Sequence, residues 1–493
     1  MASLSRQSRS RLSLSHVPST TSLPTRLSLS LLLGLATAPM ALGHDHSKTN
    51  IPEGKQVSDD PVDTILWVHI FIQMVAWGVI FPVGMILGLV KSRWHVPVQS
   101  LGTVLAILGY VMGHMHSGRE FRDNVHSDFA TPLMFMLLGQ AVMGIYLKLH
   151  LEKGFHGKVR RYVKMGHSIF GKAMPVLAWF QIVLGAIAGL GFCHDDHLGQ
   201  CLAHFIMGSS FIAYGIISTI LLLVGQVWLR RTGRSQEFFD SAVIAAWGCI
   251  NTFTEHRWGQ PWSGNDWQHT TMGIIWWCAG LAGVWLSRDR NGRPQRNFIP
   301  GFVLILTGWA MSSHPQAMMI SAQVHKIFGY TLMAAGLSRI IEISFVSTDG
   351  VPEDGRPIKN FEYISVFLLF ASGFLFMSAT EEQMEVIDQS GLDHVAYILI
   401  IYSLAFLAFL FTMMLVTLYD QNANLAKPNK EVANGRLGPN MNGQVPVRDA
   451  QEFELEGLMS DDEDAEGNHL LRDEDLPLDS PSTVGKNSDR VAN

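Results

Sequence analysis

Four histidines, His69, His95, His126 and His167, stand at the starts of the first four long apolar segments of the chain. Consecutive antiparallel helices begin at opposite ends of a bundle, so alternation places His69 beside His126 at one end and His95 beside His167 at the other. Two imidazoles opposed inside a helix bundle are the axial donor set of a b-type haem iron, and two such pairs point to two haems stacked across a bilayer. The chemistry open to that stack is the passage of single electrons from one face of a membrane to the other. A competing donor set lies close by, because Gly113-His114-Met115-His116 closes the second segment at the His69 end.

Holding these side chains requires membrane helices. The 493 residues are 48% hydrophobic and only 16% charged, which points to the membrane class rather than to soluble domains. Eleven segments approach or exceed the length needed to cross a hydrocarbon core of about 30 Å. They run over 66–90, 96–115, 129–150, 166–192, 201–229, 238–254, 269–287, 297–312, 321–346, 361–379 and 395–419. The expected fold class is therefore all-α, a polytopic membrane protein of about eleven transmembrane helices, with an N-terminal four-helix bundle and a C-terminal seven-helix module.

Lysine and arginine accumulate in cytoplasmic loops. In strict alternation, the loops on one side carry seventeen of them and the loops on the other only Arg119, Arg122 and Arg257. This predicts an N-terminus outside or in a lumen and a C-terminus in the cytosol. Ahead of the first span, an acid-free leader with Arg6, Arg9, Arg11 and Arg26 precedes an apolar run ending Ala41-Leu42-Gly43, the pattern of a cleaved signal peptide, with a mitochondrial address as the alternative. The expected organisation is a leader over 1–43, an outside linker over 44–65, the bundle over 66–192, the module over 193–419 and a disordered acidic tail over 420–493. In the tail, Glu466, Leu470 and Leu471 have the spacing of an acidic dileucine signal read by sorting adaptors, which suits a plasma membrane or vacuolar and endosomal address.

The first segment follows His69 with Ala76-Trp77-Gly78, Pro82 and Gly84; the later ones add Gln99, then Gly139-Gln140 and Gly144, then Gly171 and Gly185. In this order of His, Ala-Trp-Gly, Pro and Gly, residues 60–192 resemble the cytochrome b561 family. The resemblance implies two haems b, one on His69 and His126 and one on His95 and His167, that carry electrons from a cytosolic donor to an outer acceptor. The whole chain, with T-E-H-R-W-G-Q-P-W and D-W-Q-H-T-T-M-G in its second half, also resembles the fungal Ytp family of transmembrane proteins. No activity comes with that second resemblance.

Histidines of the second half, His204, His256, His269, His314, His325 and His394, fall on the outer side near Glu255 and near Glu381, Glu382 and Glu385. Imidazole with carboxylate at one membrane face can hold copper, iron or zinc. The candidate ligands are His269, His325, His204 and His256. A mature terminus reading His44-Asp45-His46, with His194 and His197 on the same side, offers a further Cu(II) site. Cys193 and Cys201 bracket one short outside loop and are expected to form a disulfide, while Cys249 and Cys278 read as packing residues. Arg339 and Glu342 read as a local ion pair, and Val324-His325-Lys326-Ile327-Phe328-Gly329 echoes Gly166-His167-Ser168-Ile169-Phe170-Gly171 at four of six positions, too few to establish a duplication, which would have to be inverted. No Walker sequence or nucleophile elbow appears, so nucleotide hydrolysis and ester chemistry have no seat, and nothing points to nucleic acid. The alternative class is a polytopic protein without haem that handles metal ions or protons, or serves as a scaffold.

Overall fold

Asp63 sets the start of the first helix and the position of a loop with one carboxylate. Its Oδ1 accepts from the Leu66 amide at 2.8 Å, capping α1 (Thr64–Leu89), and its Oδ2 accepts from the Ser117 amide at 3.0 Å. The computed structural model describes residues 51–151, 153–256, 259–346 and 358–425. The leader, His44-Asp45-His46, Arg257, Arg356 and the Glu466, Leu470, Leu471 motif lie outside the described residues. Within them regular structure is helical, with isolated bridges such as Val57 to Phe121 and no strand.

The N-terminal region consists of two helical hairpins. α1 widens by a π-turn over Ala76–Ile80 and continues through Pro82, whose missing N–H and ring bulk a regular turn does not accommodate. It packs on α2 (His95–Met115). The second hairpin joins α3 (Val125–Lys148), capped by Asn124 through the Ser127 amide at 3.0 Å, to α4 (Phe155–Leu190), closed by Gly191 in the left-handed region at φ 72°. The Asn124 cap starts α3 a turn ahead of the apolar run, which brings His126 into the helix. α4 likewise begins well before residue 166, so Lys158, Arg160, Arg161 and Lys164 ride on a helix rather than in a loop. The two hairpins meet at a waist made of Ala76, Trp77 and Phe81, Ala106, Leu133 and Leu137, and Met174 and Ala178.

The second region runs through α5 (Leu198–Leu223), the short α6 (Gln226–Arg231), α7 (Gln236–Thr254), α8 (Gly264–Leu286), α9 (Ile299–Ser312), α10 (Met319–Ile341), α11 (Glu362–Met377), α12 (Glu381–Ser390) and α13 (His394–Leu425). The tightest pairs are α7 with α8, α9 with α10 and α5 with α11. Each crosses where glycines face a neighbouring backbone: Gly248 lies against Trp277, Gly308 and Gly329 oppose each other, and so do Gly208 and Gly373. α13 continues past residue 419, where the acidic tail was expected to begin, and the Asn422 amide donates to the Leu418 carbonyl at 2.8 Å.

All eleven expected segments are helices, but fewer are spans by their own composition. Six, namely α1 to α4, a helix starting at Asp195 and α13, are long and apolar enough to cross a membrane, and α11 with α12, bent by 81° at their junction, is a broken span that would make a seventh or a re-entrant loop. α7, α8, α9 and α10 fall short because polar groups such as Glu237, Asp240, Asn251 and Arg339 dilute them, or, for α9, because 14 residues rise only about 21 Å. Only 11% of the apolar window of α3 is buried inside the protein, so its remaining surface suits lipid.

Candidate functional site: four paired histidines

The structure brings His69 to His126 and His95 to His167. Ring centroids are 6.4 Å apart in both pairs, with ring planes at 85° and 84°. An imidazole nitrogen binds a metal at about 2.0 Å and lies about 1.1 Å from the ring centre, so two rings on opposite sides of one ion have centroids roughly 6.2 Å apart. Both pairs match that spacing.

One rule of position governs all four rings. His69 rests against Gly113 and its Nδ1 meets the carbonyl of Gly109 at 2.6 Å. His95 rests against Gly88 with Nδ1 on the carbonyl of Gly84 at 2.8 Å, and His126 against Gly185 with Nδ1 on the carbonyl of Gln181 at 3.1 Å. In each case the carbonyl belongs to the residue four before the glycine, one helical turn away. His167 lies in the same relation to Gly144, although its buried Nδ1 has no hydrogen-bond partner. A Cβ at Gly113 or Gly88 would stand 2.7 Å from the ring it faces, so these helices come close enough only because a glycine is there. Nδ1 donating to a carbonyl fixes the neutral tautomer and leaves the Nε2 lone pair for a metal, the usual outer-sphere arrangement of a ligating histidine.

Glutamines stitch each hairpin together beside these rings. Gln140 Nε2 donates to the His167 carbonyl at 2.8 Å and Gln181 Nε2 to the His126 carbonyl at 2.9 Å; Gln73 reaches Ala106 at 3.3 Å and Gln99 reaches Phe81 at 3.5 Å. Gln73 and Gln181 escaped the sequence reading, yet both recur on helix faces that carry a histidine. The competing donors point elsewhere, since His114 Nδ1 bonds the Tyr110 carbonyl at 2.9 Å and His116 packs edge-on to Phe121. Above and below the waist the four rings stay half-buried, which leaves the pairs reachable between the hairpins.

The second-half candidates separate into distinct environments. His204 and His325 face each other, as do His269 and His314. His256 does not join them: it bonds Asp266 at 3.0 Å and stacks on Trp262 at 3.9 Å. His394 sits beside Asp393, and His194 and His197 beside Glu382 and Glu381. Cys193 and Cys201 form a disulfide, so their closeness to Glu382 is not a thiolate metal site; the carboxylate instead accepts from the Cys193 amide. Arg339 and Glu342 do pair, within a larger buried cluster. Glu237, fully buried on α7, accepts from Arg296 and Arg339 at 2.9 Å each, and the Tyr214 hydroxyl donates to Asp240.

A chain of this kind, helical throughout its described residues and carrying several apolar spans, is a polytopic integral membrane protein. Its second half is similar to the fungal Ytp-type proteins. Residues 177–420 match the family described as "Protein YTP1-like, C-terminal", and residues 49–150 match a domain of unknown function, DUF2427. The relatives include Protein YTP1 of Saccharomyces cerevisiae, 48% identical over 49% of this chain and 51% of that protein, so the chain spans about half the length of that relative. An uncharacterized membrane protein of Schizosaccharomyces pombe is 21% identical over 69% of this chain and 90% of its own length, and a second from Saccharomyces cerevisiae is 25% identical over 41% and 40%. No solved structure matches.

Proposed function

We propose that this protein is a dihaem electron carrier of the cytochrome b561 type, moving single electrons between the two faces of a bilayer. The supporting observation is the repeated pair of imidazoles at 6.4 Å, with Nδ1 turned to a backbone carbonyl on three of the four rings. Bound haem supplies one-electron redox chemistry at each level. The chain's own residues do the rest. His69 and His126 hold one group, His95 and His167 the other, and the carbonyls of Gly109, Gly84 and Gln181 keep the donor nitrogens in the ligating tautomer. Trp77 and Phe81, ring centres 4.6 Å apart, fill the waist and keep water from the path between the two levels. Along α1 the step from His69 to Gly84 corresponds to roughly 22 Å at 1.5 Å per residue, which sets the two levels near opposite leaflets.

In this reading the leader, linker, four-helix domain, seven-helix domain and acidic tail keep their order, with the seven-helix domain extended through α13 to Leu425. Eleven crossings place the N-terminus outside or in a lumen, with the protein in the plasma membrane or the vacuolar and endosomal system. The adaptor signal at Glu466, Leu470 and Leu471 would act from the cytosol. Lys158 and Lys164, near the His167 level, suit an anionic reductant. The alternative, a protein without haem that handles metal ions, draws on the second histidine group and makes a different prediction.

The test is the visible spectrum of the purified full chain. We expect the sharp α-band of a reduced low-spin b haem at two haems per chain, falling to one in either His126→Ala or His167→Ala. A colourless protein, or two haems persisting in both variants, would refute the assignment.

A further inference from the structure

We propose that Asp240 of α7 is a proton-binding site, a carboxylic acid that keeps its proton at neutral pH beside the Tyr214 hydroxyl. The site lies in the second region and shares no residue with α1 to α4, so it stands independently of the dihaem reading.

Three carboxyl groups are buried at this end of the region: Glu237 is 0% exposed, Glu342 3% and Asp240 7%. Two guanidiniums meet them. Arg296 donates to Glu237 Oε1 through Nε at 3.0 Å and Nη2 at 2.9 Å, and Arg339 bridges Glu237, at 2.9 Å, to Glu342. Arg296 Nη2 also lies 3.5 Å from Glu342. Both cations are thus engaged by the two glutamates. Among the described residues, the side chain that bonds Asp240 is the neutral phenol of Tyr214.

The surrounding elements offer no replacement cation. α7 itself and α5, α8, α9 and α11 carry neither lysine nor arginine. The backbone of α8 comes against Ser241 and Ala245, just beyond Asp240, through Gly280 and Gly283. On α10 the other cation is Lys326, turned to the Tyr330 ring and roughly 20 Å along the helix from Arg339 at 1.5 Å per residue. Arg234, ahead of α7, lies over the Phe238 ring at 4.0 Å, and Arg230 and Arg231 close α6 without bonding Asp240. Glu362, which starts α11, is a further buried acid.

A third ionised carboxylate would therefore be an uncompensated buried charge, which a carboxyl group avoids by taking up a proton. With that proton on Asp240, the two arginines and three acids are neutral as a set. A second observation points the same way. Glu237 Oε2, wholly buried, has no hydrogen-bond partner. Glu237 and Asp240 are three residues apart, neighbours on one helix face. Since Oδ1 of Asp240 accepts from Tyr214, a proton taken from water is held on Oδ2, and the new O–H supplies a donor one turn from the orphaned oxygen. Among the described residues the three carboxyl groups do not converge as a set of metal ligands, which leaves the proton as the cation that fits.

The experiment is infrared spectroscopy of the purified full chain at neutral pH, in a detergent without ester groups. We expect the carbonyl stretch of one protonated carboxyl group per chain. It should move to lower frequency in D2O, move up in Tyr214→Phe as one hydrogen bond is lost, and vanish in Asp240→Asn. The wild-type spectrum needs no variant, and its lack of the band overturns the proposal. So does a band that survives in Asp240→Asn, as one from haem propionates would; neither result alters the haem count. Thermal midpoints separate the three acids. Asp240→Asn exchanges one neutral group for another and should stay near wild type, whereas Glu237→Gln leaves two guanidiniums short of an acceptor and should fall clearly below it. A loss in Asp240→Asn as large as that in Glu237→Gln would show an ionised aspartate and sink the assignment.

Discussion

A histidine and a glycine on the partner helix act as one unit in this protein, because the ring fills the place of the missing side chain and the turn before that glycine supplies the carbonyl for Nδ1. The arrangement orients the donor nitrogen without a second polar side chain, which a lipid environment would penalise. Gly113→Leu therefore should displace the His69 ring and, if the proposed function holds, lower bound haem from two per chain toward one, leaving the His95 and His167 level intact. Gly139→Leu makes the comparison, since nothing lies within 4 Å of the added Cβ there. Pyridine haemochrome titration of both variants reads the difference; equal loss in the two would mean that ring placement does not depend on the glycine.

Helices carry this register, and the sequence reveals them unevenly. The alternating starts of four apolar segments already placed His69 with His126 and His95 with His167, because helix direction alone decides which ends meet. The start of α3 was harder to see: the apolar run begins at 129, while Asn124, a capping residue, sits a turn earlier. In the second half, contacts between distant residues hid more. Glu237 finds Arg296 and Arg339 far along the chain, and His256 is taken by Asp266, so neither hydropathy nor spacing separates it from His204 and His269. Glycine spacing was visible but not its use. Gly308 and Gly329 each face the other's carbonyl, and any side chain there must push α9 from α10. Gly329→Leu is expected to cost about 1–3 kcal/mol or more through overpacking, read as a lower thermal midpoint in detergent. Gly189→Leu, with open space at its Cβ, should stay near wild type; a shift as large as that of Gly329→Leu would assign the effect to added apolar bulk instead.

Direction across the membrane is a property of the whole chain. The distribution of Lys and Arg favours a cytosolic His95 and His167 end, since the basic stretch Lys158 to Lys164 begins α4 at the His167 end, and under the proposed function a cytosolic donor would then meet that pair. The disulfide loop of Cys193 and Cys201 follows the other end of α4, where an oxidising lumen would preserve it. Two independent features thus favour one orientation. Exposed positions on opposite sides test it directly: Asp196 in the disulfide loop and Asn291 in the turn between α8 and α9. With Cys249 and Cys278 replaced by alanine, Asn291→Cys should react with an impermeant maleimide in sealed microsomes whose cytosolic face is outward. Asp196→Cys should react only after detergent opens them. The opposite pattern would invert the topology, and labelling of both sites from one side would mean that the number of crossings between residues 196 and 291 is even rather than odd.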